Sequence, residues 1–224
     1  MEIAGKLTIQ QWNELKANLD SKKQENWSLA YHFFEERLRT RYLKPINTIL
    51  EMGDNSGEGF AVVSLQCSLI ETIECFINGW LYNAVGDKLK KTISNRWYCK
   101  KIEKNNIVTI NCKNLKNVDI FISFFKEREP FNKYKVKGEM FFWNVRCGLL
   151  HETQTKNGWK IWADGFGESI NNKTIYRNNF QNDIEKVIEN YKNSIINGVA
   201  FDGISTCELR ENFISKFNHI CNES

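Results

Sequence analysis

The chain has 224 residues, a formal charge of +4 and a pI near 8.6. With 42% hydrophobic and 13% aromatic residues it can bury a sizeable core, which excludes global disorder. The mild basic excess permits an anionic partner without demanding one.

The seven cysteines, at 67, 75, 99, 112, 147, 207 and 221, are odd in number and irregularly spaced, and no C-x-x-C occurs. Reduced thiols in a cytoplasmic protein fit better than a disulfide framework or a zinc site. The opening MEIAGKLTIQQW has no apolar h-region, and no apolar run approaches about 18 residues, so neither secretion nor a membrane span is expected. The signatures of P-loops, dinucleotide folds and α/β-hydrolases are missing. HETQT has Thr155 where a metalloprotease helix needs a second histidine. No metal or cofactor is expected.

With only Pro45 and Pro130 in the chain, long helices are allowed. Thr8 and Gln11 fit a capping box for a first helix through Leu19. A second helix is predicted from about Trp27 to Leu43, ended or kinked by Pro45, with a further short turn over 46–52. After the break GDNSGEG, Glu58 to about Asn83 shows the strongest helical pattern. Its stripe of Val62, Leu65, Leu69, Ile73, Phe76 and Trp80 predicts the central core helix.

Residues 86–116 are rich in lysine and asparagine, and KNNIVTINCKN there reads as a short strand or a helix-free excursion. VDIFISFF, 118–125, is read as helix in this context. Glu139 to Glu152, EMFFWNVRCGLLHE, is a further helix. WKIWAD and KTIYRN alternate apolar and polar residues and predict a small β-hairpin, about 158–178. Two helices close the chain over about 180–196 and 205–221. The expectation is one mainly α domain, 1–224, with the hairpin inserted after the 139–152 helix.

That helix carries Arg146 and His151 near its end. A histidine can exchange protons near neutral pH. An arginine presents a fixed charge in a fork that matches phosphate oxygens. Together they suit cleavage of an RNA phosphodiester, the histidine taking the 2′-hydroxyl proton and the arginine stabilising the phosphate. Along a regular helix the two lie about 140° and 7.5 Å apart. Either the helix loosens near Gly148, or a second copy completes the site.

Arg146-Cys-Gly-Leu-Leu-His151 has the R-x4-6-H form of the HEPN superfamily, and WNVRCGLLHETQTKNGWKI resembles bacterial HEPN-like proteins. The resemblance implies a helical bundle. It also implies a metal-independent endoribonuclease that acts as a homodimer, with Arg146 and His151 catalytic. By the same resemblance it would serve antiphage defence or a toxin–antitoxin system, with an antitoxin or defence-system partner protein. The alternative is a non-catalytic HEPN-like module binding nucleotide, RNA or protein. Cys147 favours that alternative, because many active members carry a polar residue after the arginine.

Supporting roles fall to Glu71 as a partner for Arg146, to Cys147, and to Glu152, which would orient His151 or simply face solvent. Glu74 is expected at the surface, as is His219, while His32 is expected to be structural. Arg37, Arg41 and Lys44 share one helix face at i, i+4 and i+7. Lys100 and Lys101 belong to a basic run, Lys88 to Lys104, broken by Trp97 and Tyr98. Both clusters are candidate RNA contacts.

Overall fold

The computed structural model describes residues 1–19, 23–53, 57–83, 88–91, 98–103, 106–111 and 115–223. For 82–83, 88–91, 98–103, 106–111 and 223 it describes the backbone alone. The protein is mainly α-helical.

A short antiparallel pair, β1 (Glu2–Ala4) and β2 (Leu7–Thr8), leads into α1 (Ile9–Ala17). Thr8 and Gln11 form the expected capping box, so the first helix starts where its orphan N–H groups find oxygen acceptors. Then α2 (Gln24–Leu38), a π-turn (Arg39–Leu43) and α3 (Lys44–Met52) run on without a break. Pro45 was expected to end or kink this helix. Instead it lies in the first turn of α3, and the chain widens just before it. The Lys44 N–H reaches back five residues to Arg39, which makes room for a ring that cannot donate.

The central helix is α4 (Glu58–Asn78). It ends at Gly79, left-handed with φ 63°, earlier than the apolar pattern implied, and Trp80 already belongs to β3 (Trp80–Asn83). By length and composition alone α4 could cross a membrane. Most of it is nevertheless buried against α3 and four later helices.

β3 pairs with β4 (Lys88–Lys91), and β4 with β7 (Leu115–Lys116); β5 (Tyr98–Glu103) and β6 (Asn106–Asn111) form a separate hairpin. Within the KNNIVTINCKN stretch, Asn106–Asn111 is therefore strand. VDIFISFF is helix, within α5 (Asn117–Glu127). The helix that carries the arginine and histidine is α6 (Gly138–Phe141), a second π-turn (Phe142–Arg146) and α7 (Cys147–Glu152). Gly138 lets it press against α5: a Cβ there would lie 2.2 Å from the Phe121 carbonyl oxygen.

WKIWAD and KTIYRN do pair, but not as a hairpin. β8 (Lys160–Trp162) runs parallel to β10 (Thr174–Tyr176), and the hairpin partner of β10 is β9 (Ile170–Asn171). The turn residues explain this. Asn172 and Lys173, with φ 44° and 61°, close a tight two-residue hairpin that the longer loop after β8 cannot form. Finally α8 (Arg177–Asn197) and α9 (Thr206–Glu223) pack on α4.

Two aromatic clusters fill the core. Trp12, Tyr31, Phe34, Phe76, Phe213 and Phe217 join α1, α2, α4 and α9. Phe121, Phe125, Phe131, Phe141 and Phe180 join α5, α6 and α8. Edge-to-face and offset pairs of this kind add to the gain from burial itself.

Candidate functional site

The site is built on α4 and the Gly138–Glu152 helix. That helix does loosen, but at Phe142–Arg146 rather than at Gly148. There the Cys147 N–H bonds the Phe142 carbonyl, an i→i+5 closure. Gly148 is small for another reason. The chain folds back over it, and a Cβ would lie 2.6 Å from the Gln154 carbonyl oxygen. The returning segment is tied down by the Lys156 N–H donating to the Asn144 carbonyl at 2.8 Å.

The π-turn delivers Arg146 to α4. Its Nε donates to Glu71 Oε1 at 2.8 Å, with both side chains roughly three-quarters buried, and its guanidinium lies 5.6 Å from the Phe142 ring centre. Burial lowers the arginine pKa, but the Glu71 carboxylate more than compensates and holds it above its ordinary value. The pairing expected for Glu71 is therefore present, across 75 residues of sequence.

His151 stands on the exposed end of α7 and makes no hydrogen bond or ion pair among the described residues. No contact joins it to Arg146. The segment between them is α-helical, so the rotation of about 140° stands. Glu152 does not orient it. That carboxylate faces solvent and pairs with Lys156 at 3.0 Å. Cys147 is half-buried between the two motif residues.

Glu71 also lines a cleft of about 430 Å³, with Arg37, Arg41, Tyr42, Thr72, Lys216 and His219 around it. The first π-turn supplies part of this wall, since Tyr42 bonds Thr72 at 2.9 Å. Arg37 donates to the Ile3 carbonyl at 2.5 Å and Arg41 to the same oxygen at 3.5 Å. Neither guanidinium pairs with a carboxylate among the described residues. Burial, and after it the charge of Arg41, lowers the Arg37 pKa to about 10. Burial also lowers Lys216, whose Nζ donates to the Trp80 carbonyl at 2.8 Å.

Lys44 leaves the group it was expected to join. The extra residue of the π-turn rotates the next turn of helix by about 100°, and Lys44 lines a different groove with Glu185 and Glu189. The side chains of Lys100 and Lys101 lie outside those described, as does the rest of their basic run. His219 belongs to the cleft wall and is only partly exposed, whereas His32 is exposed, 3.8 Å from Glu35.

Glu74 is the largest correction. It is fully buried, not at the surface, and takes a two-pronged salt bridge from Arg128, with both N–O distances at 2.9 Å. Ser123 and Asn78 donate to it too, and Arg128 also reaches Asp202 at 2.8 Å. The reason is the partner: an isolated buried carboxylate is costly, but one with four donors is not. Arg128, just past the end of α5, and Lys216, on α9, carry no local sign of burial in the sequence, because a single basic residue looks the same whether or not a distant partner covers it.

Among the described residues, no three His, Cys, Asp or Glu side chains are grouped to hold a metal ion. Burial pushes the thiols of Cys67 and Cys75 up, the latter to about 11, which leaves them poor nucleophiles. Together these features define a helical protein with an anchored arginine beside a cationic cleft. Scans against protein-family models, curated proteins and solved structures find no match to the chain.

Proposed function

We propose that the chain is a HEPN-type, metal-independent endoribonuclease that works as a homodimer. The observation that carries the reading is the anchored Arg146. Its guanidinium is fixed by Glu71 beside the Arg37–Arg41 cleft, on the same helix whose solvent-facing end bears His151. In the reaction His151 accepts the proton of a ribose 2′-hydroxyl, and the 2′-oxygen attacks the adjacent phosphorus. The P–O5′ bond breaks and the departing 5′-oxygen takes a proton from solvent, producing a 2′,3′-cyclic phosphate and a 5′-hydroxyl end. Arg146 stabilises the charge gathering on the phosphate oxygens. Arg37 and Arg41 hold the RNA backbone.

The second copy enters for a geometric reason. One helix directs its arginine and histidine about 140° apart, so one chain cannot bring both to one phosphate. Leu150, 60% exposed beside His151, offers an apolar contact where two such helix ends meet. A cytoplasmic setting, and service in antiphage defence or a toxin–antitoxin pair with a protein partner, follow from the resemblance of the motif.

The test is incubation of purified protein with RNA in the presence of a chelator. Fragments ending in cyclic phosphate, lost in both Arg146→Ala and His151→Ala, support the reading. Cleavage that survives both substitutions overturns it. A second reading, a non-catalytic module that binds RNA through the cleft, draws on His151 lacking any group to orient its ring. Intact RNA together with tight, salt-sensitive binding would favour that one.

A further inference from the structure

A second basic surface lies at the other end of the same helix. A groove of about 530 Å³ runs between residues 133–137 and the β9–β10 hairpin. Lys133, Lys135 and Lys137 line it from one side, and Lys173 from the other. The alternation in KYKVK turns Tyr134 and Val136 partly inward and leaves the three lysines in solvent. Lys173 sits at the left-handed hairpin turn and donates to the Asn157 carbonyl at 3.1 Å. The charge is largely uncompensated. Lys133 meets Glu129 only at 3.6 Å with both side chains exposed, and among the described residues Glu168 is the one acidic residue of the groove wall.

One further observation points to a ligand rather than a solvated face. Trp159 forms part of the groove wall but is 93% buried with its indole N–H sealed from solvent, so contact with an occupant falls to exposed side chains. Met140 continues the groove onto the motif helix, and one turn on Trp143 presents its indole at 54% exposure. An exposed indole one helical turn beyond a row of ammonium groups suits unpaired bases and their phosphates. From Met140 to His151 the helix advances about 16 Å, so an extended strand seated in the groove can follow it to the motif.

We propose that this groove is the docking track for single-stranded RNA, leading along Met140 and Trp143 towards Arg146 and His151. The choice of RNA as ligand rests on the ribonuclease reading; the cationic, concave, aromatic-ended surface does not. The probe is a fluorescent single-stranded oligonucleotide with 2′-O-methyl riboses, which no 2′-hydroxyl route can cleave. Its binding to the full chain is followed by anisotropy from low to moderate salt.

The triple variant Lys133→Gln, Lys135→Gln, Lys173→Gln should weaken binding at least tenfold and make the slope of log affinity against log salt shallower by about two. Trp143→Ala should weaken single-strand binding several-fold, and the matching duplex should bind less well than the single strand. Because all four side chains are exposed or half-exposed, unchanged circular dichroism and melting would confirm intact folds. Unchanged affinity in the triple variant overturns the proposal, as does equal affinity for duplex or for poly-glutamate. Cleavage of ordinary RNA by the unaltered chain is scored separately. Tight groove-dependent binding without cleavage sinks only the nuclease reading, and cleavage untouched by the groove variants sinks only the track.

Discussion

The Nε of Arg146 and the Oε1 of Glu71 meet at 2.8 Å and couple the motif helix to the central helix α4. Both groups are roughly three-quarters buried, so their loss is felt more than that of a surface pair and less than that of a sealed one. Glu71→Ala should cost about 1–3 kcal/mol of unfolding free energy in urea titration. The double change with Arg146→Ala should cost clearly less than the sum of the two singles, since the pair is a single contact. Strict additivity would show that the pair contributes no coupling energy.

His151 should behave in the opposite way. It is exposed and unbonded, so His151→Ala should leave stability within about 0.5 kcal/mol of the parent. RNA cleavage should nonetheless fall to background. Paired melting and cleavage assays on one preparation decide whether the imidazole matters to chemistry alone.

The Glu74–Arg128–Asp202 cluster should dominate the stability of the α4–α5 region. Removing one partner strands a charge where no water reaches. Glu74→Ala should therefore cost about 3–5 kcal/mol, more than Glu71→Ala or His151→Ala. Combining Glu74→Leu with Arg128→Met should recover much of that loss, because the one charge then left without its partner, Asp202, is a quarter exposed to solvent. Urea midpoints and slopes for the parent and both variants test this directly.

Arg37 gives the pH prediction. Its folded pKa, about 10, lies below the ordinary arginine value, with burial the main cause and Arg41 the next. The native state therefore binds this proton less tightly than the unfolded chain. The resulting cost is present in full below about pH 10 and fades as pH rises from there towards the unfolded value. Arg41→Gln removes part of the repulsion, so it should hold or slightly raise stability at neutral pH. It should at the same time weaken RNA binding and make its salt slope shallower by about one. A variant that loses stability while RNA affinity holds would assign Arg41 to the fold and not to the cleft.

Much of the helical layout was legible from residue order. Thr8 and Gln11 announced the start of α1, the stripe from Val62 to Phe76 marked α4 as central, and the chemistry of Glu71 matched it to Arg146. Periodicity and caps are local signals, and they say which face of a helix turns inward. They do not say what that face will meet. Glu74 looked like a surface residue until Arg128, 54 positions away, was seen against it. The Asn172–Lys173 turn was readable in principle, but the parallel pairing of β8 with β10 was not, because register between distant strands is set by the packing beneath them.

Sequence alone thus determined a mainly helical chain with a buried α4 and an arginine–histidine pair on one late helix. Tertiary structure decided the rest. The two π-turns moved Lys44 away from Arg41 and brought Arg146 to Glu71, and the fold lined up Lys133, Lys135, Lys137 and Lys173 around one groove. A single inserted residue in a helix rotates everything after it by about 100°, so which charges share a face depends on the geometry of the turn and not on spacing along the chain.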